Sequence, residues 1–145
     1  MIHQFTASWL FWAVLSAGFA ALTAILAKLG VSHIDSDVAT FIRTLVIVVI
    51  LAAYLVISGK FRAVGPVGFR TALFLCLSGL ATGASWLCYF RALKLGDAAR
   101  VAPVDKLSVV IVAIFGVLML GEYLSVKGWL GVVCITIGAL LVATA

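Results

Sequence analysis

Apolar residues fall in five long blocks, Trp9–Ala27, Val38–Ser58, Thr71–Phe90, Val101–Gly121 and Gly128–Ala145, separated by short charged or turn-like links. A hydrocarbon layer of ~30 Å takes about 20 helical residues to cross, and each block is long enough to be such a helix. The pattern predicts an all-α polytopic membrane protein with five transmembrane helices, over about 9–29, 38–58, 71–93, 99–121 and 127–145, in a single domain spanning 1–145. The links carry turn chemistry: Gly-Pro with three cations in "KFRAVGPVGFR", a tight turn with Asp97 as candidate N-cap in "KLGDAAR", and the shorter "EYLSVK".

Two blocks are short of oily length. From Leu107 to Gly121 there are 15 charge-free residues, about 22 Å of helix. After Arg43 there are 16, to Gly59, about 24 Å. Ionic groups must therefore lie below the membrane surface in both. In "RVAPVDKLSVVIVAIFGVLMLGE" (Arg100–Glu122), Pro103 favours extending the fourth helix backward, which submerges Asp105 and Lys106 and is expected to bend the helix near Ala99. The second helix is expected to begin near Val38 and to carry Arg43 about a turn and a half inside. Helices two and four start on one side of the membrane and helix three ends there, which brings Arg43, Lys106, Arg91, Asp105, Trp86, Tyr89 and Phe90 to one end of the bundle. The plain alternatives are snorkelling for the cations and an interfacial belt for the rings. A submerged cation is costly and usually lines a cavity, so an anion-favouring vestibule with Arg43, Trp86, Tyr89, Asp105 and Lys106 as candidates is expected at this end. Asp105, about 100° around the helix from Lys106, is not expected to pair with it.

Composition agrees with the pattern. The chain is 66% apolar and 10% charged, against roughly 45–50% and 25% in soluble domains, which excludes a soluble fold. Its net charge of +5 is spread among the apolar blocks and forms no stripe, so nucleic-acid binding is not expected. Cys76, Cys88 and Cys134 lack CxxC spacing and His3 and His33 lack ligand neighbours, so no metal site, cofactor or disulfide framework is expected; the cysteines read as small packing residues. The leader "MIHQFTAS" has no Lys or Arg before the first block, which reads as a retained helix and not as a signal peptide. No Ser/His/Asp, HExxH or paired-acid arrangement supports an intramembrane enzyme.

Small residues mark close helix contacts: Gly79 and Gly83 with Ser78, Thr82 and Ser85; Gly131, Cys134 and Gly138; and Ser16, Ala20 and Ala24. Packing within one subunit is their first reading, and a seam between subunits the second. Cations are balanced across the membrane, with Lys60, Arg62, Arg70 and Lys127 on the side of the N-terminus and Lys28, Arg91, Lys94 and Arg100 on the other. The positive-inside rule then assigns no orientation, and a chain with balanced flanks can insert both ways up; two oppositely inserted copies would reproduce, as an antiparallel homodimer, the plan of transporters whose odd-span halves invert in tandem.

The stretch "WLCYFRALKLGDAARVAPVDKLSVVIVAIFGVLMLGEYLSVKGWLGVVCITIGALLV" (Trp86–Val142) resembles the C-terminal part of an EamA domain of the drug/metabolite transporter superfamily. The shared features are an aromatic end to helix three followed by "ALKLG", then "VAP", an apolar helix closing in "LGE", and "GWLGVVCITIGALLV". The resemblance implies one half of an inverted-repeat transporter in the bacterial cytoplasmic (inner) membrane, working as a homodimer. It also implies a central cavity lined by helices one, three and four, with Trp86, Tyr89, Pro103 and Lys106 among the lining residues and a structural role for Glu122. The chain departs from the family pattern at Val109, where many relatives have proline, and at "VDK" (104–106). Helix one holds no deep carboxylate, so the proton exchange of the small multidrug transporters does not carry over.

The expected function is export or exchange of small metabolites or drugs by alternating access. An accessory membrane subunit that assembles with a larger partner is the alternative.

Overall fold

The computed structural model describes residues 8–63 and 65–145; the first seven residues of the leader, His3 among them, lie outside the described residues. Among the described residues six helices follow in order: α1 (Trp9–Val31), α2 (Ser36–Ile57), α3 (Phe69–Leu95), α4 (Ala98–Asp105), α5 (Ser108–Leu120) and α6 (Val126–Thr144), with a short 3-10 turn at Lys60–Ala63. No strand occurs among the described residues. Five helical segments are long and apolar enough to span a membrane, the fourth being α4 and α5 taken together (Ala98–Leu120).

Local chemistry sets the boundaries. Asp35 precedes α2, and its Oδ1 accepts from the amides of Asp37 (2.8 Å) and Val38 (3.3 Å), a cap worth about 1 kcal/mol. The helix thus starts two residues before the sequence expectation. Asp97 has cap-like backbone geometry, but its side chain makes no capping bond; its carbonyl accepts from Arg100 and Val101 instead. Ser125 caps α6 through the Gly128 amide. Gly59 and Gly121 end α2 and α5 at φ 68°, a left-handed conformation that side-chain-bearing residues adopt only with strain.

The fourth span departs from the expected continuous helix. It is interrupted at Lys106–Leu107, after Pro103, and not near Ala99. The amides of Lys106, Leu107, Val109 and Val110 bond three residues back, to Pro103, Val104, Lys106 and Leu107. This tightens the ladder into a 3-10-like turn.

The chain falls into two compact units: Ala27–Lys94, and the earlier part of α1 with Leu95–Ala145. In the first, burial gathers at one end, where Val31, Ser36, Ala39, Thr40, Phe90 and Leu93 come from the end of α1, the start of α2 and the end of α3. In the second, α4 and α5 pack on α6. At most 11% of any spanning stretch is buried within the chain, so the remaining apolar surface is left for lipid or another protein surface. Several threonine hydroxyls within the spans turn inward on their own helices: Thr40 donates to the Ser36 carbonyl, Thr44 to Thr40, Thr82 to Ser78 and Thr136 to Val132. Such bonds keep these donors from facing hydrocarbon bare.

Candidate functional site

The end of unit Ala27–Lys94 is closed by a set of polar bonds that join helix termini. Lys28 donates to the Leu93 carbonyl (2.8 Å) and Lys94 to the Ile34 carbonyl (2.7 Å). Arg91 forks onto Asp37, with Nη2 to Oδ2 at 2.7 Å and Nε to Oδ1 at 3.2 Å. Cations at the last turns of α1 and α3 sit where unpaired carbonyls concentrate, and Asp37 sits in the first turn of α2 where amides do.

One and a half turns further into α2, Arg43 lies against α3. Its guanidinium carbon is 4.1 Å from the centroid of the Trp86 ring and 5.4 Å from that of Phe90. Arg43, Trp86 and Tyr89 are half-buried and Phe90 is buried. Trp86, Tyr89 and Phe90 fall at i, i+3 and i+4, so one face of α3 presents all three. Three of the sequence candidates, Arg43, Trp86 and Tyr89, are therefore brought into one cluster. The Arg91–Asp37 pair was not anticipated. Its signal was present: an acid in the first turn of one span and a base in the last two turns of the next necessarily lie toward the same side of a membrane.

The other three candidates lie at the helix break of the second unit. Pro103 is in the last two turns of α4, and Lys106 pairs with Asp105 at 3.4 Å. This corrects the expectation that adjacent residues would not pair. Regular helix ends at Asp105, and the long Lys106 stem folds back on its neighbour. Arg100, on α4, donates to the Ala143 carbonyl of α6 at 3.3 Å.

An open groove of about 340 Å³ runs beside α5, lined by Ser108, Val112, Val117, Glu122, Tyr123 and Val132 among others. At its end, the amides of Gly121 and Glu122 donate to the Gly116 carbonyl, and Glu122 folds over Gly116 so that a Cβ there would meet Oε2 at 2.8 Å. Among the described residues no three His, Cys, Asp or Glu side chains gather to hold a metal ion.

Most positions of the small-residue stripes are uncovered within the chain, against their first reading as packing within one subunit. A Cβ on Gly79, Gly83, Gly131 or Gly138 would meet no described atom within 4 Å, and Ser78, Thr82 and Ser85 are exposed. The face of α6 that is partly covered carries Val132, Thr136, Ala139 and Ala143, not Gly131, Cys134 and Gly138. Of the α1 stripe, Ser16 and Ala20 are exposed and Ala24 is buried. Cys76, Cys88 and Cys134 are free thiols and exposed, so they do not fill gaps inside the chain.

The model of the EamA-like transporter family matches residues 7–144. The chain belongs to that family. A curated Sinorhizobium sp protein, named "Uncharacterized transporter in cobO 3'region", is 65% identical over 136 residues, covering 94% of this chain and 96% of that one. No solved structure matches the chain. An EamA-like chain with five membrane-spanning segments is a multi-pass membrane transporter, and the Arg43 cluster lies within the length of its second and third spans.

Proposed function

We propose that the protein is a carrier, and not an enzyme, that moves small metabolites or drugs across the bacterial inner membrane by alternating access as an antiparallel homodimer of 1–145 domains. The observation that carries this reading is a cation held inside a membrane span against aromatic rings: Arg43 on Trp86 and Phe90. Ionisable groups at such depth are expensive in lipid and mark solute pathways. Pro103, Asp105 and Lys106 are the second set of candidates for contact with solute, and Asp105 is the candidate proton carrier should transport be coupled.

Three features support two oppositely inserted copies. The span number is odd, the flanking cations are balanced between the two sides, and the glycine face of α3 at Gly79 and Gly83 has no described atom against it. An odd number of spans makes a repeated unit invert, and small residues let helices approach closely.

Reconstitution of the purified chain into vesicles tests the reading. Saturable solute flux by this chain alone is the expected result. Absence of flux together with a stable co-purifying membrane protein would assign it to an accessory subunit. Labelling of single cysteines placed in the 60–70 loop should reach both sides of the membrane, and one exclusive side would remove the antiparallel dimer.

A further inference from the structure

The geometry points to Arg43 as a binding site for the carboxylate of a small organic anion, with Trp86 and Phe90 as its backing; this rests on the carrier reading and names its substrate class. Within unit Ala27–Lys94 the acids are Asp35 and Asp37. Asp35 is committed to the α2 amides and Asp37 to Arg91. Lys94 is committed to a backbone carbonyl, as is Lys28. Among the described residues Arg43 makes ring contacts but no ion pair. The counter-ion it requires is not supplied by its own unit.

Depth separates this guanidinium from one that reaches for lipid headgroups. Arg43 is seven residues into α2 and Trp86 nine residues before the end of α3, about 10 and 13 Å inside the two termini. Side chains on a helix lean toward its N-terminus, which for α2 is the nearer membrane face, so a snorkelling arginine would stretch that way. Arg43 instead sits closer to Trp86 than to Phe90, which lies one turn nearer the surface. The Trp86 ring occupies one side of the guanidinium, with its centroid 4.1 Å from the central carbon. The N–H groups of a guanidinium lie in its own plane, the direction from which a carboxylate approaches with two parallel bonds. A cationic solute would be repelled here, and a neutral one would leave the charge uncompensated. Tyr89, on the same face of α3, adds a hydroxyl and an aromatic wall for an apolar ligand body.

Equilibrium binding in a maltoside detergent tests this without requiring flux. Radiolabelled benzoate and acetate are the anionic probes, with benzamide and benzylammonium as shape-matched neutral and cationic controls. At least one anion should bind saturably and neither control should. Arg43→Gln should weaken binding about thirtyfold, the loss of a charge-assisted pair, while Arg43→Lys, which keeps the charge but not the fork, should fall between. Helicity and unliganded thermal midpoint, measured on both variants, separate lost binding from lost folding, and Arg43→Lys keeps the test decisive if Arg43→Gln does not fold. The proposal is overturned if neither anion binds, if benzamide binds as well as benzoate, or if Arg43→Lys and wild type bind equally. Stabilisation by phosphatidylglycerol that depends on Arg43, with no anion binding, would assign the guanidinium to a lipid phosphate and overturn it too. Flux of a cationic solute without anion binding would remove this site and leave the carrier standing; anion binding without any flux would do the reverse.

Discussion

Arg91 on the last turns of α3 holds both carboxylate oxygens of Asp37 on the first turn of α2, at 2.7 and 3.2 Å. The two residues are 54 positions apart, and the pair ties the ends of two spans where most of the unit's buried residues gather. Both side chains remain substantially exposed, so water and salt weaken the bond.

Asp37→Asn is therefore expected to lower the thermal midpoint of the detergent-solubilised protein modestly, with Arg91→Gln doing the same and the double variant losing little more. That non-additivity identifies a shared interaction. At 1 M salt the difference between wild type and Asp37→Asn should shrink, because the Debye length there is only about 3 Å. Additive losses that ignore salt would mean that the fork does not join the helices in solution.

The stacking of Arg43 on Trp86 leads to a second measurement. A double-mutant cycle of Arg43→Gln and Trp86→Leu should return a coupling of about 1 kcal/mol, within the range for a partly desolvated cation–π contact. Coupling indistinguishable from zero would show that the two side chains do not interact.

Gly121 and Gly116 are both glycines near the end of α5, but for different reasons. Gly121 has φ 68°, where any side chain is strained, so Gly121→Ala should cost about 1–2 kcal/mol in unfolding experiments. At Gly116 the obstacle is the far end of the Glu122 side chain, which can swing away. Gly116→Ala should cost less than about 1 kcal/mol, and Glu122→Ala in the same chain should remove most of that cost. Equal losses at the two glycines would contradict this account.

The exposed glycine face of α3 is the place to test self-association. A Cβ at Gly79 or Gly83 would meet nothing within 4 Å beyond its own stretch of helix, so the first side-chain carbon has room there, and replacing glycine improves helix propensity. On the proposed dimer reading, Gly79→Leu with Gly83→Leu should leave helicity intact while reducing the dimer fraction seen by light scattering at least several-fold. An unchanged dimer fraction would place the seam elsewhere.

Hydropathy alone located all five spans, with ends within about two residues of those observed, because a helix in lipid satisfies its backbone internally and needs only enough apolar length. Length arithmetic also placed Arg43 inside its span, and alternating span directions brought Trp86 and Tyr89 to the same end. Those are local or topological facts, written in order along the chain. The tertiary structure decided the rest: that Arg91 finds Asp37, that Arg43 stacks on Trp86, that α6 packs through Val132, Thr136 and Ala139 while Gly131 and Gly138 face outward, and that the fourth span breaks after Lys106. Each depends on how one helix is rotated against another or on where a hydrogen-bond ladder gives way. In a chain this uniformly apolar, lipid rewards every face of a helix almost equally, so rotation is set by a few polar contacts between residues distant in sequence.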